Sequence, residues 1–134
     1  MKKIVICGSM QFIDKMNICA AILEKKGFAA ITPDEGDWDK ISTEKINEYK
    51  REVSLRYFNE VAREDTYGIL VINETKKGVM NYIGANAFAE IAIAFYKGKK
   101  IFLLHDIYEP LADELIAWEA TPLHGEMDNL KLYP

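Results

Sequence analysis

Apolar residues along the chain alternate between two patterns. Lys3–Cys7 (KIVIC), residues 28–32 (FAAIT), 68–72 (GILVI) and 101–104 (IFLL) are continuous apolar runs with little alternation, as expected of strands covered on both faces. The gaps carry helical spacing instead. Phe12, Met16, Cys19, Ala20 and Leu23 mark a first helix, stopped at Gly27. Ile46, Tyr49, Val53, Tyr57 and Val61 mark a longer one, starting at Ser42 or Thr43, with Glu48, Lys50, Arg51, Glu52 and Arg56 on its polar side. A third runs from Gly84 to near Gly98, a fourth fits LADELIAWE after Pro110, and TPLH reads as a weak last strand or an extended tail. Strands alternating with helices imply parallel strands with right-handed crossovers, and 134 residues suit a single domain. The expected fold is therefore α/β: a flavodoxin-like, doubly wound sheet of four or five parallel strands with helices on both faces.

Such sheets bind ligands outside the carboxyl ends of the strands, where the strand order reverses. That places the site in the loops after Cys7, Ile72 and Leu104, and brings together GSM (Gly8, Ser9, Met10), the loop NETKKGVMNYIG and the start of the third helix. From Ala85 to Phe95 this helix is apolar except at Asn86 and Glu90, one turn apart. The neighbours of Glu90 three and four positions away are Ala87, Asn86, Ile93 and Ala94, so it is expected to be partly buried. A carboxylate there costs several kcal/mol of desolvation unless something pairs with it. Two explanations stand side by side: a cation from another helix or an oligomer interface, or a nucleophile or general acid/base in a semi-apolar cleft. Asn86 either orients that carboxylate, bonds a substrate hydroxyl, or simply opens the helix. Gly84 and Ala85 present free backbone N–H groups that favour an anion. Gly8 and Ser9 fit a tight turn and an N-cap, or a sugar or phosphate contact. Tyr82 lines the cleft for a base to stack on, or packs at a loop edge.

Composition narrows the partners. With 17 basic and 21 acidic residues the net charge is −4, which gives no electrostatic reason for nucleic acid or an anionic membrane as partner and leaves small molecules. No apolar segment approaches the ~20 residues of a bilayer span, and MKKIVICGSM is too short in its apolar part for a secretory leader, so the cytoplasm is expected. Cys7 and Cys19 sit in apolar segments and are expected as thiols. G-x-G-x-x-G and the P-loop pattern are both missing, Asp37 and Asp39 lack the further ligands of a calcium loop, and His105 and His124 have no partner pattern, so neither metal nor cofactor is expected. Asp65 is read as closing a turn before the third strand.

Taken together, CGSM after the first strand, Asp65 with GILVIN, and NYIGANAFAEIAIAFYKGKKIFLL resemble the nucleoside 2-deoxyribosyltransferase-like superfamily, which includes the 2′-deoxynucleoside 5′-phosphate N-hydrolases. The similarity runs in order over most of the chain. Its most specific part is the helix with one embedded Glu followed by Gly-Lys-Lys and a strand; an uncharacterised bacterial branch has NYIGGN…E in the same place. The resemblance implies a flavodoxin-like fold, a homodimer or larger assembly, and cleavage of an N-glycosidic bond with Glu90 as nucleophile. Gly8 and Ser9 match positions that in the hydrolases help hold the sugar phosphate. With Met10 and the Gly84–Ala85 amides they would surround the sugar, Asn86 would orient Glu90 or the sugar, and Tyr82 would meet the base. There are departures. The position six before Glu90 is Gly84, where the transferases place Asp and the hydrolases Ser; the first strand lacks the family's tyrosine; and Met10 and Gln11 stand where the hydrolases have an arginine. The expected function is hydrolysis or base transfer on a nucleoside or its monophosphate, the alternative a non-catalytic nucleotide-binding or sensing module of the same fold.

Overall fold

A computed structural model describes residues 2–34 and 40–131, so Asp37 and Asp39 lie outside the described residues. Five parallel strands form one sheet: β1 (Lys3–Cys7), β2 (Ala29–Ile31), β3 (Thr66–Val71), β4 (Lys100–Leu103) and β5 (Thr121–Pro122), in the order β2-β1-β3-β4-β5. This is the doubly wound, flavodoxin-like arrangement. The helices are α1 (Ile13–Lys25), α2 (Ile46–Ala62), α3 (Ala85–Tyr96) and α4 (Ala112–Ala117).

The sheet's unalternating strands follow from having a core on each side. On one face Met16, Cys19 and Leu23 of α1 pack with Ile4, Ile6, Leu70, Ile72 and Phe102, closed by Met127 and Leu130 near the carboxyl end of the chain. On the other, Ala87, Ile91 and Ala94 of α3, Val61 of α2 and Leu115 of α4 cover Val5, Cys7, Ile69, Val71 and Leu103. Successive strand residues point to opposite faces, so a strand with two cores must be apolar at every position. Gly68 is required by close approach, because a Cβ there would lie 2.7 Å from the Lys100 carbonyl oxygen on β4.

The elements depart from the sequence reading at their ends. The second helix starts at Ile46 rather than Ser42 or Thr43, because the Lys45 N–H bonds the Ser42 carbonyl at 3.0 Å and closes a separate turn first. A 3-10 turn over Met10–Phe12 precedes α1, and Ser9 caps it by accepting from the Gln11 N–H at 3.4 Å. TPLH yields a two-residue strand, which the Leu123 N–H anchors to the Leu103 carbonyl at 2.8 Å. A turn from Arg63 to Thr66 does lead into β3, and Asp65 there also bonds Arg63 Nε at 3.0 Å and lies 3.4 Å from Lys3 Nζ. Cys7 and Cys19 are both buried free thiols. Among the described residues no helix is long and apolar enough to cross a membrane.

Candidate functional site

The strand order reverses between β1 and β3, the neighbours of β1 being β2 and β3. Beside the carboxyl end of β1, on the face covered by α2 and α3, lies a cleft of about 290 Å³. It is bordered by Gly8 and Met10 of the loop after β1 and by two residues of α3, the exposed Asn86 and the buried Glu90. One wall is the end of β2 and the loop beyond it, Ile31 to Asp34; the other is α2, from Tyr49 to Glu60.

Gly8 makes the chain turn possible. Its φ is +151°, and a Cβ there would stand 3.0 Å from both the Ile72 carbonyl oxygen and the Met16 methyl. Only a residue without a side chain takes that conformation at that separation. The turn follows β1 directly and puts Gly8 itself in the cleft lining.

Glu90 is held where the pattern of α3 put it, 7% exposed and bordering the cleft. Among the described residues no lysine, arginine or histidine comes within ion-pair distance of it. Burial pushes its carboxyl up to about 7, an effect that the adjacent Cys7 thiol moderates. The thiol is raised in turn, chiefly by its own burial and then by Glu90. Of the two explanations offered for this acid, a cation of the same chain is one that the described residues do not supply.

Tyr57 of α2 also borders the cleft. Its hydroxyl donates to the Ile6 carbonyl of β1 and lies 3.3 Å from the Ile31 carbonyl of β2, so it ties α2 across two strands. Burial, followed by the proximity of Cys7 and Glu90, raises this phenol far above its ordinary range and keeps it a neutral donor. At the cleft mouth, Arg56 Nη1 of α2 and Asp34 Oδ2 face each other at 3.7 Å, both exposed.

Of the residues singled out from the sequence, Gly8, Met10, Asn86 and Glu90 come together in the cleft. Ser9, Tyr82, Gly84 and Ala85 are not among its lining residues. Ser9 Oγ, besides capping, accepts from Lys76 Nζ at 3.3 Å. Tyr82 packs edge-on against Tyr108, with ring centroids 5.9 Å apart and the Lys76 ammonium over its face. Its hydroxyl lies over Gly84, 3.2 Å from where a Cβ would stand. His105 and His124 have partners that the sequence pattern did not reveal: His105 meets Glu74, and His124 meets Asp106. Asn73, fully buried, cross-links the loops after β3 and β4 by donating to the Asp106 carbonyl at 2.8 Å and accepting from the His105 N–H at 2.9 Å. No group of three or more His, Cys, Asp or Glu among the described residues could hold a metal ion.

The sequence reading placed the site in the loops after Cys7, Ile72 and Leu104, but the loops after Ile72 and Leu104 are not among the cleft's lining residues; the lining it missed is Ile31 to Asp34, at and beyond the end of β2, and the inward side of α2. Its apolar stripe looked like a core face, yet Val61 is the only fully buried residue of the helix, and Tyr49, Val53, Tyr57 and Phe58 are half-buried against the cleft. The available signal was the kind of residue: tyrosines rather than leucines or isoleucines on the inward stripe.

The cleft beside the first strand's carboxyl end, bordered by an acid with no cation partner among the described residues, lies where α/β sheets of this order bind ligands. Comparison of the chain with protein-family models, with curated proteins and with solved structures gave no match.

Proposed function

We propose that this protein cleaves the N-glycosidic bond of a nucleoside or nucleoside monophosphate, with Glu90 as the nucleophile. The observation that carries the reading is a buried carboxyl with no cation partner among the described residues, bordering a cleft where this fold class binds ligands. The sequence resemblance supplies the reaction. In it, a Glu90 carboxylate oxygen forms an ester bond to C1′ as the C1′–N bond breaks; the bonding pair leaves with the base nitrogen, which takes a proton. Water then attacks C1′, releasing the sugar and restoring the carboxylate; a second base in place of water gives transfer. Splitting one difficult displacement into two is the advantage of a covalent intermediate. A carboxyl that titrates near 7 is available in its ionised form at neutral pH, and its weak solvation leaves it more basic than an exposed glutamate.

Asn86, in the same cleft one turn before Glu90, orients the acid or the sugar, and Gly8 and Met10 border the sugar. The large apolar side chains exposed on α3 and α4, Phe95, Tyr96 and Ile116, support assembly into a homodimer or larger oligomer, and the two free thiols fit a cytoplasmic setting. The test is incubation with deoxynucleosides, ribonucleosides and their 5′-monophosphates, following free base by chromatography. The reading expects base release from at least one and its loss in Glu90→Gln; release unchanged in that variant removes the nucleophile.

The second reading, a nucleotide-binding module without turnover, has one observation in its favour. Near pH 7 about half of Glu90 is protonated, and a neutral carboxyl can both donate to and accept from a ribose hydroxyl. Thermal stabilisation by a nucleoside or nucleotide without any base release supports it over the first.

A further inference from the structure

At the mouth of the cleft, Arg56 of α2 and Asp34 of the loop after β2 meet through a single contact, Nη1 to Oδ2 at 3.7 Å, with 64% and 88% of their side chains exposed. A pair this long and this well hydrated adds next to nothing to stability. It also leaves most of its bonding capacity unused, since the guanidinium carries a fork of N–H donors and the carboxylate further acceptor sites. Both residues line the cleft, on opposite walls. Glu90 comes from α3 and Asp34 from beyond β2, yet the phenol of Tyr57 is close enough for the charge of each to act on it. A ligand seated with one end at Glu90 and lying along Tyr57 thus has a donor fork and an acceptor group side by side at its other end.

We infer, on the reading that Glu90 marks the sugar end of the cleft, that Asp34 and Arg56 read the edge of the leaving base and select guanine. A guanidinium bonds guanine at O6 and N7. The next groups along the same edge, N1–H and the 2-amino group, are donors and suit an ionised carboxylate, which only accepts. Guanine therefore offers neighbouring acceptors followed by neighbouring donors, the order that Arg56 and Asp34 complement together. The other bases break it: adenine has an amino donor in place of O6 and no N–H at N1, hypoxanthine lacks the 2-amino donor, and a pyrimidine has no N7. Guanine replaces the loose contact at the mouth with charge-assisted bonds to both partners and leaves the two charges beside each other.

The experiment measures binding of deoxynucleosides and their 5′-monophosphates carrying guanine, hypoxanthine, adenine or cytosine, by calorimetry on the full chain with Glu90→Gln, so that the ligands stay intact. Asp34→Asn and Arg56→Met are then added singly; both positions are exposed, so neither change reaches the core. The guanine ligand binds tightest, and the hypoxanthine one about ten-fold more weakly, for one charge-assisted bond lost. Asp34→Asn brings guanine down about ten-fold and leaves adenine unchanged, while Arg56→Met weakens guanine and hypoxanthine alike. The order of affinities is the readout, because a merely structural role for the pair weakens all ligands together. Absence of binding, absence of a guanine preference, or a preference that survives both substitutions overturns the inference. Guanine-selective binding without base release by the wild type leaves it standing and removes the glycosidase reading; base release without guanine selectivity does the reverse.

Discussion

Replacing Glu90 with glutamine should make the folded protein more stable, by an amount that depends on pH. In the folded state the carboxyl titrates at about 7, against 4.5 for a carboxyl without burial. A raised folded value means that folding favours the protonated form: the native state is penalised as pH rises from 4.5 through 7, and the penalty then levels off. At 1.36 kcal/mol per pH unit this gap corresponds to about 3 kcal/mol above pH 8. Glutamine has nearly the same shape and no charge to desolvate, so Glu90→Gln avoids that cost. Urea unfolding of the wild type and Glu90→Gln at pH 4.5, 6, 7 and 8.5 measures the difference directly. The expected result is two similar proteins at pH 4.5 and a variant more stable by about 3 kcal/mol at pH 8.5. A difference that does not change with pH, or a variant less stable at high pH, would refute the reasoning, because the latter is the signature of a carboxylate stabilised by a cation. Higher stability with base release abolished is the trade expected of a group kept for chemistry at the expense of folding.

The same titration governs turnover: base release should rise about ten-fold per pH unit below 7 and flatten above it, and a flat profile from pH 5 to 8 contradicts an ionising nucleophile. Gly8→Ala places a Cβ 3.0 Å from the Ile72 carbonyl oxygen at a φ of +151°, and should cost about 1–3 kcal/mol in urea unfolding. Tyr57→Phe leaves the Ile6 carbonyl without its hydroxyl donor and should cost about 1 kcal/mol by the same measurement, with the helical circular dichroism retained. Cys7 and Cys19 should resist a water-soluble aromatic disulfide in the native state and react together on unfolding; rapid labelling of either native thiol contradicts its burial.

The residues that made the fold legible are those whose environment is set locally. Val5, Ile69 and Leu103 lie in runs that are apolar at every position, and only a strand between two cores needs that. Glu90 was legible for the converse reason, since α3 has no polar side on which to place it. Tyr57 was not. Its spacing on α2 predicts an inward side chain, but whether inward means a core or a cavity depends on where the end of β2 and the loop after β1 arrive, and those contacts join residues 6, 31 and 57 from distant parts of the chain. The pairing of His105 with Glu74 was hidden in the same way, 31 residues apart and fixed only when Asn73 clamps the loops after β3 and β4 together. Helix starts were misplaced where a turn forms its own hydrogen bond first, as Ser42 does with Lys45.

The brevity of β5 has a bearing on solubility. The Leu123 N–H points inward to β4, so by alternation the amide of Pro122 faces away from the sheet, and proline has no proton there to offer. A foreign strand approaching that border finds two residues and a missing donor, a poor template for the cross-chain pairing that seeds fibrils.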